Sequence, residues 1–166
     1  SSKPIIIYDI PGRSVIGMTD ETMAKLAEHE LIVGVKDATA DLGRPTRLLN
    51  VINDKFIQLS GEDGTALPYL AAGGHGCISV TANIAPNLLS RMHNAWQQGD
   101  IQTAQDINQK LMPLHDALFC ETSPGPLKYA ASLLNICESD TRLPIVEIAS
   151  ESKKRVEEGL KFAELM

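Results

Sequence analysis

The chain predicts a parallel α/β architecture, either doubly wound or a (β/α) barrel, and three observations carry that expectation. Short apolar runs recur roughly every 20 to 28 residues, each followed by a helical pattern. The second run, Leu31-Ile-Val-Gly-Val-Lys36, is apolar and rich in β-branched residues until it meets a lysine, as suits a strand buried on both faces of a parallel sheet. From Pro86 onward only helical patterns remain.

Pro4–Tyr8 is the first strand, and Asp9-Ile-Pro-Gly-Arg13 reads as a turn because Pro11 and Gly12 suit backbone reversal. Thr19-Asp-Glu-Thr22 opens a helix with Thr19 as its cap, acidic residues in the first turn, and a stripe of Met23, Leu26 and Ala27. After the lysine strand, Leu48, Leu49 and Ile52 have helical spacing. Lys55–Leu59 is the third strand, Ser60-Gly-Glu-Asp-Gly64 its loop, and Thr65–Ala72 a small-residue helix. Cys77–Val80 is the fourth strand.

Pro86–Gln98, Ile101–Phe119, Pro126–Leu134 and Ser150–Leu165 read as helices. Pro113 is expected to kink or break the second of these, Leu143-Pro-Ile-Val146 to form an extended link, and Ser150 or Ser152 to cap the last. The expected organisation is residues 1–100 as the β/α part and 101–166 as a helical region.

Composition narrows the function. The 166 residues are 43% apolar and 22% charged, which suits a globular fold with a substantial core. A net charge of −6, with 15 basic residues scattered along the chain, leaves no nucleic-acid footprint. Neither a bilayer-spanning run nor a leader pattern is expected. Cys77, Cys120 and Cys137 form no CxxC pair and are odd in number, which suggests neither a zinc site nor a disulfide framework and fits a reducing cytoplasm. His29, His75, His93 and His115 lack metal-ligand spacing and read as surface or helix-cap residues.

Chemistry in parallel α/β folds gathers at the carboxyl ends of the strands. Those ends carry Tyr8 with Arg13 just beyond, Lys36, Ser60-Gly61, and Ile78 followed by Ser79, Thr81 and Asn83. A lysine at the polar end of an apolar strand is poorly solvated as an ammonium, the setting a Schiff-base amine needs. The plainer reading is a snorkelling lysine. A tyrosine can relay a proton and an arginine fork can clamp a carboxylate, so the set describes amine catalysis on a keto acid. Each residue also has an ordinary role: Tyr8 as a packed aromatic, Arg13 as a surface ion-pair partner, Gly61 as a turn, Ile78 as core. Asp37 and Asp63 read as loop-structuring carboxylates.

Four segments resemble, in order and spacing, the carboxyl-terminal half of the dihydrodipicolinate synthase (4-hydroxy-tetrahydrodipicolinate synthase) family. They are Tyr8-Asp-Ile-Pro-Gly-Arg13, Gly34-Val-Lys36-Asp-Ala-Thr39, Leu59-Ser-Gly61-Glu-Asp63 and Gly76-Cys-Ile78-Ser-Val-Thr-Ala-Asn83. Ser123-Pro-Gly-Pro-Leu-Lys-Tyr-Ala130 and Arg142-Leu-Pro are also similar to this family, so the resemblance spans essentially the whole chain.

The resemblance implies a TIM (β/α)8 barrel lyase of the pyruvate-dependent aldolase (N-acetylneuraminate lyase) superfamily, acting in lysine and diaminopimelate biosynthesis. This chain would cover about the last four β/α units plus a carboxyl-terminal helical extension. By the resemblance, Lys36 forms the imine with pyruvate, Tyr8 is the proton donor and acceptor, and Arg13 binds the carboxylate of aspartate semialdehyde. Ile78 contacts pyruvate through its backbone, and Gly61 keeps the wall beside the lysine open. No metal or organic cofactor is implied, since the lysine supplies the electron sink. The family's full-length enzyme is a cytoplasmic homotetramer of paired dimers.

Sister aldolases that cleave sialic or keto-deoxy sugar acids share the lysine and tyrosine, but Pro11-Gly-Arg13 suits a small carboxylated aldehyde better than a polyol. A non-catalytic half-barrel acting in assembly is the reading from another class. By the resemblance, the chain begins at the fifth strand and lacks an early relay threonine, a tyrosine lent by a neighbouring subunit, the Gly-Thr-Thr segment that holds the pyruvate carboxylate, and the lysine feedback site. Four strands cannot close a barrel of eight, so an apolar inner face is expected to stand open. It would be met by a complementing half, a second copy, or the rest of a longer polypeptide. The last is favoured here because the helix preceding the first strand reads as cut at Ser1-Ser2.

Overall fold

The computed structural model describes residues 2–166, so the reading of a helix cut at Ser1-Ser2 falls partly outside the described residues. The chain divides into two compact units, residues up to Ser79 and Val80–Met166. The expected division at residue 100 thus differs from the observed one, which groups residues 80–100 with the helices that follow.

The first unit runs β1 (Ile5–Asp9), α1 (Pro11–Ser14), α2 (Asp20–Ala27), β2 (Ile32–Asp37), α3 (Arg44–Leu49), β3 (Ile57–Ser60), α4 (Ala66–Ala71) and β4 (Gly76–Cys77). The four strands are parallel and lie in the order β1-β2-β3-β4. A doubly wound sheet reverses its strand order at a switch point, whereas a barrel wall adds each strand beside the last. The unreversed order decides for the barrel type.

Met23 of α2, Val35 of β2, Leu48 of α3 and Phe56 form the buried cluster under this sheet, with Ile7, Ala27, Ile32 and Ile52 packed around it. The Thr19 hydroxyl accepts from the Thr22 amide at 3.2 Å, which is the cap the sequence predicts. Two local expectations change. The segment after Asp9 is a one-turn helix rather than a simple turn, because Pro11 opens α1 with its φ already suited to helix. The fourth strand is only Gly76–Cys77 rather than Cys77–Val80, and the chain enters a 3₁₀ turn at Thr81–Asn83.

The second unit contains that turn, α5 (Pro86–Gln97), α6 (Ile101–Leu118), α7 (Gly125–Leu133) and α8 (Ser150–Phe162). Its core includes Met92 of α5, Leu111, Leu114 and Leu118 of α6, and Val156 and Leu160 of α8. At Gly159 a Cβ would stand 3.1 Å from the Leu114 Cα, so the bare glycine permits α8 to approach α6 closely. Helix α6 is continuous through Pro113, so of the expected kink or break the proline does not make a break.

Leu143–Pro144 has a cis peptide bond and lies in a turn closed from Ile145 N to Arg142 O at 3.1 Å, not in an extended link. Ala149, rather than either serine, is the cap residue of α8, and its amide donates to Glu121 Oε1 at 2.9 Å. His115, expected at the surface, is buried, with Nδ1 2.7 Å from Thr81 Oγ1. Among the described residues, no helix is long and apolar enough to cross a membrane.

Candidate active site

The sheet register decides which side chains meet. Tyr8 pairs with Lys36, Lys36 with Leu59, and Leu59 with Gly76. One residue further, Asp9, Asp37, Ser60 and Cys77 form the next row. Successive strand residues point to opposite faces, so the two rows belong to opposite sides of the sheet.

The face bearing Tyr8 and Lys36 is open within this unit. Tyr8 is 48% exposed, and Ile6 and Ile57, each paired with Gly34 one step down the same face, are 42% and 37% exposed. This is the uncovered apolar surface that four strands of a barrel are expected to leave. Lys36 is half-buried, and its Nζ stands 4.0 Å from the centroid of the Tyr8 ring, within cation–π range.

Gly61 forms the adjoining wall. A Cβ there would lie 2.9 Å from Ala38 Cβ and 3.2 Å from Lys36 Cε, so bare backbone leaves space for the lysine stem. The Gly61 amide donates to Asp37 O at 2.6 Å, tying the β3 loop to the end of β2. Ile78 is 43% exposed just past β4, and its amide donates to Ser60 O at 2.9 Å. A backbone contact from Ile78 to a ligand therefore falls to its carbonyl, since the N–H is engaged. Arg13 lies exposed on α1, beyond Tyr8 and Asp9. The structure thus brings Tyr8, Lys36 and Gly61 into one cluster, with Ile78 at the neighbouring strand end and Arg13 on the helical turn that follows β1.

Glu62 is a site neighbour that sequence reasoning missed, because Ser60-Gly-Glu-Asp reads as a polar loop. Burial pushes its carboxyl up, the Asp63 charge adds to this, and the Lys36 ammonium opposes it. Cys77, at the end of β4, is held as a thiol: burial, reinforced by Asp63, pushes it up to about 12. It is therefore a poor nucleophile. Asp63 is buried and accepts a short hydrogen bond from Ser79 Oγ, and Asp37 accepts from the Thr39 amide and hydroxyl at 2.9 and 2.7 Å. Both do the loop structuring their sequence context suggests.

On the closed face lies a second feature the sequence did not announce. Arg44 is buried, with Nη1 2.7 Å from Asp9 Oδ2 and 3.6 Å from Asp37 Oδ1, Nε 3.2 Å from Asp20 Oδ1, and Nη2 donating to Met18 O at 3.0 Å. Burial works against its charge, and the Asp9 hydrogen bond with the Asp37, Asp9 and Asp20 charges outweighs it, so the guanidinium is held more firmly protonated than usual. The only signal in the sequence was that Asp9 and Asp37 directly follow Tyr8 and Lys36. A lysine amine beside a phenol can capture a carbonyl carbon and pass protons at the adduct. Among the described residues, no group of three or more His, Cys, Asp or Glu side chains is placed to hold a metal ion.

The Dihydrodipicolinate synthetase family profile matches residues 1–163. The 4-hydroxy-tetrahydrodipicolinate synthase of Gluconacetobacter diazotrophicus is 56% identical over 164 residues, covering 98% of this chain and 55% of the relative. That of Rhodospirillum centenum is 61% identical over 143 residues, covering 86% and 49%. Among solved structures, dihydrodipicolinate synthase from Aquifex aeolicus superposes with a TM-score of 0.95 at 37% identity, covering 99% of this chain and 57% of that one. The chain spans about half the length of the curated relatives it matches. Its four β/α units correspond to half of the eight-unit barrel.

Proposed function

The chain belongs to the dihydrodipicolinate synthetase family, and from that premise we propose that it carries the Schiff-base half of a lyase active site. The reaction is condensation of pyruvate with L-aspartate 4-semialdehyde to give 4-hydroxy-tetrahydrodipicolinate, in lysine biosynthesis. The observation that carries this reading is the placement of the Lys36 amine 4.0 Å from the Tyr8 ring at the carboxyl ends of adjacent strands.

Lys36 Nζ adds to the C2 carbonyl of pyruvate, and loss of water leaves a protonated imine. The positive nitrogen accepts the electron pair released when a methyl proton leaves C3, giving an enamine. Its terminal carbon forms the new C–C bond to the semialdehyde, whose carbonyl oxygen takes up a proton. The semialdehyde's own amine then adds to the iminium carbon and expels the Lys36 amine, which closes the ring and frees the lysine. Tyr8 is the proton carrier, Arg13 the holder of the semialdehyde carboxylate, Gly61 the open wall, and the Ile78 carbonyl a pyruvate contact. No organic cofactor or metal enters this chemistry.

Turnover, unlike imine formation, is proposed to require the remaining barrel units, in a cytoplasmic oligomer of the family's tetrameric type. Relatives that are 49–56% identical over nearly the whole of this chain bear the synthase name, which supports the semialdehyde over a sugar-acid substrate. The test is intact mass after incubation with pyruvate and borohydride. Wild type is expected to gain one reduced pyruvate adduct and Lys36→Ala none. An unmodified wild-type mass would remove the Schiff-base role from this chain acting alone, and adduct formation without turnover after addition of a complementing half would favour the assembly reading.

A further inference from the structure

We propose that Arg44 is a positioning residue for the reacting pair, acting from the opposite face of the sheet. It rests on the reading of Tyr8 and Lys36 as that pair. The guanidinium reaches the carboxylates of Asp9 and Asp37, each the immediate successor of one of the two. Asp9 and Asp37 face each other in the ladder as Tyr8 and Lys36 do, so holding the two carboxylates on one nitrogen fixes the relative height of the two strand ends.

Further bonds remove the remaining freedom. The Met18 amide donates to Asp9 Oδ2 at 3.2 Å while the Met18 carbonyl accepts from Arg44, which closes a ring around the end of β1. Asp37 Oδ1 is also held by Thr39. The Ala38 amide donates to Asp9 O at 2.9 Å, carrying the ladder past the reacting row. Arg44, Asp9 and Asp37 are each at most 3% exposed, so water does not compete for these bonds. The guanidinium meets Asp9 and Asp37 through Nη1, Asp20 through Nε and the Met18 carbonyl through Nη2, a spread of fixed donor directions that the compact ammonium of a lysine on its flexible stem cannot reproduce.

Arg44→Lys keeps the charge and loses the fork, and Asp9→Asn keeps the shape and removes one charge, in case the first variant does not fold. Leu48→Ala, a fully buried core change in the same unit, is the control for destabilisation alone. After reductive methylation of the lysines, the Lys36 methyl signal, assigned by its loss in Lys36→Ala, is expected upfield in wild type through the Tyr8 ring current. A Tyr8→Leu variant should abolish that displacement.

Folded Arg44→Lys is expected to lose most of the upfield displacement and folded Asp9→Asn part of it, while Leu48→Ala keeps it. The rate of borohydride-trapped pyruvate adduct should fall at least about tenfold in Arg44→Lys relative to Leu48→Ala, as misplacement of a reacting group implies. A wild-type ring-current shift in folded Arg44→Lys, or its loss in Leu48→Ala to the same degree, overturns the proposal. So does the lack of an upfield signal in wild type. Absence of adduct from wild type would instead count against the Schiff-base reading, while the ring-current comparison still decides the clamp.

Discussion

On the helix-covered side of the first unit's sheet, Asp9, Asp37, Gln58 and Ser60 are no more than 3% exposed; on the other, Tyr8 is 48% exposed and Ile6 42%. These sets alternate along the same strands, one residue apart, so backbone and strand propensity are common to both and only the covering differs. The covered side fixes where the strand ends lie, through a charge cluster that cannot be relaxed by water. The open side is free to hold groups whose value is chemical and which stabilise little. Stability and proposed activity are thus separable by face, and substitutions should move one without the other.

The largest separation is expected from Arg44→Met. It leaves the buried Asp9 and Asp37 carboxylates uncompensated and should cost about 3–5 kcal/mol. Urea midpoints at neutral pH check it, and a loss below about 1 kcal/mol would mean that the two faces do not differ in the way argued. Arg47, three residues on and half exposed in its contacts with Asp20 and Asp41, provides the internal contrast. Its replacement by alanine should cost no more than about 1 kcal/mol.

Gly61→Ala sits where the two faces meet in effect. The added methyl presses on Ala38 and on the Lys36 stem, for about 1–3 kcal/mol of overpacking, and is expected to slow adduct formation with pyruvate. Equal trapping rates in variant and wild type would show that the wall has more room than its contacts imply. Glu62 offers a smaller effect with a definite sign. Its folded-state pKa is raised above the ordinary 4.5, first by burial and then by Asp63, so the folded state holds the proton more tightly than the unfolded chain does. Its favourable contribution is complete below pH 4.5 and is lost as pH climbs through the raised value. Glu62→Gln should remove that part of the decline, seen as a flatter stability profile across this window and a higher midpoint at neutral pH.

Least change in stability is expected from Tyr8→Phe, within about 0.5 kcal/mol, because the ring is retained and half of it already meets solvent. Its effect should fall on chemistry. Deuterium exchange into the pyruvate methyl group, followed by proton NMR, is expected to slow by about 10²-fold. Unchanged exchange would transfer the proton-carrying role to another group, and Glu62, which feels the Lys36 charge, is the next to test.

The amino-acid sequence by itself determined the alternation of strands and helices, the Thr19 cap, and the lysine and tyrosine at strand ends. Each of these rests on local physics: β-branched runs, an N-terminal hydroxyl, and the meeting of an apolar segment with a charged residue. It left open whether the sheet reverses its order, which only the pairing of strands could decide. It could not reveal Arg44, because a single arginine in a polar stretch reads as solvated and its partner Asp9 lies 35 residues away. It likewise misread Leu143–Val146 and the start of α8, where the turn is closed by backbone and the cap residue's amide is met by Glu121 from another segment. What periodicity and capping specify travels within a few residues, whereas burial, register and ion pairing depend on which distant segments are brought alongside, and those were settled only when the chain folded.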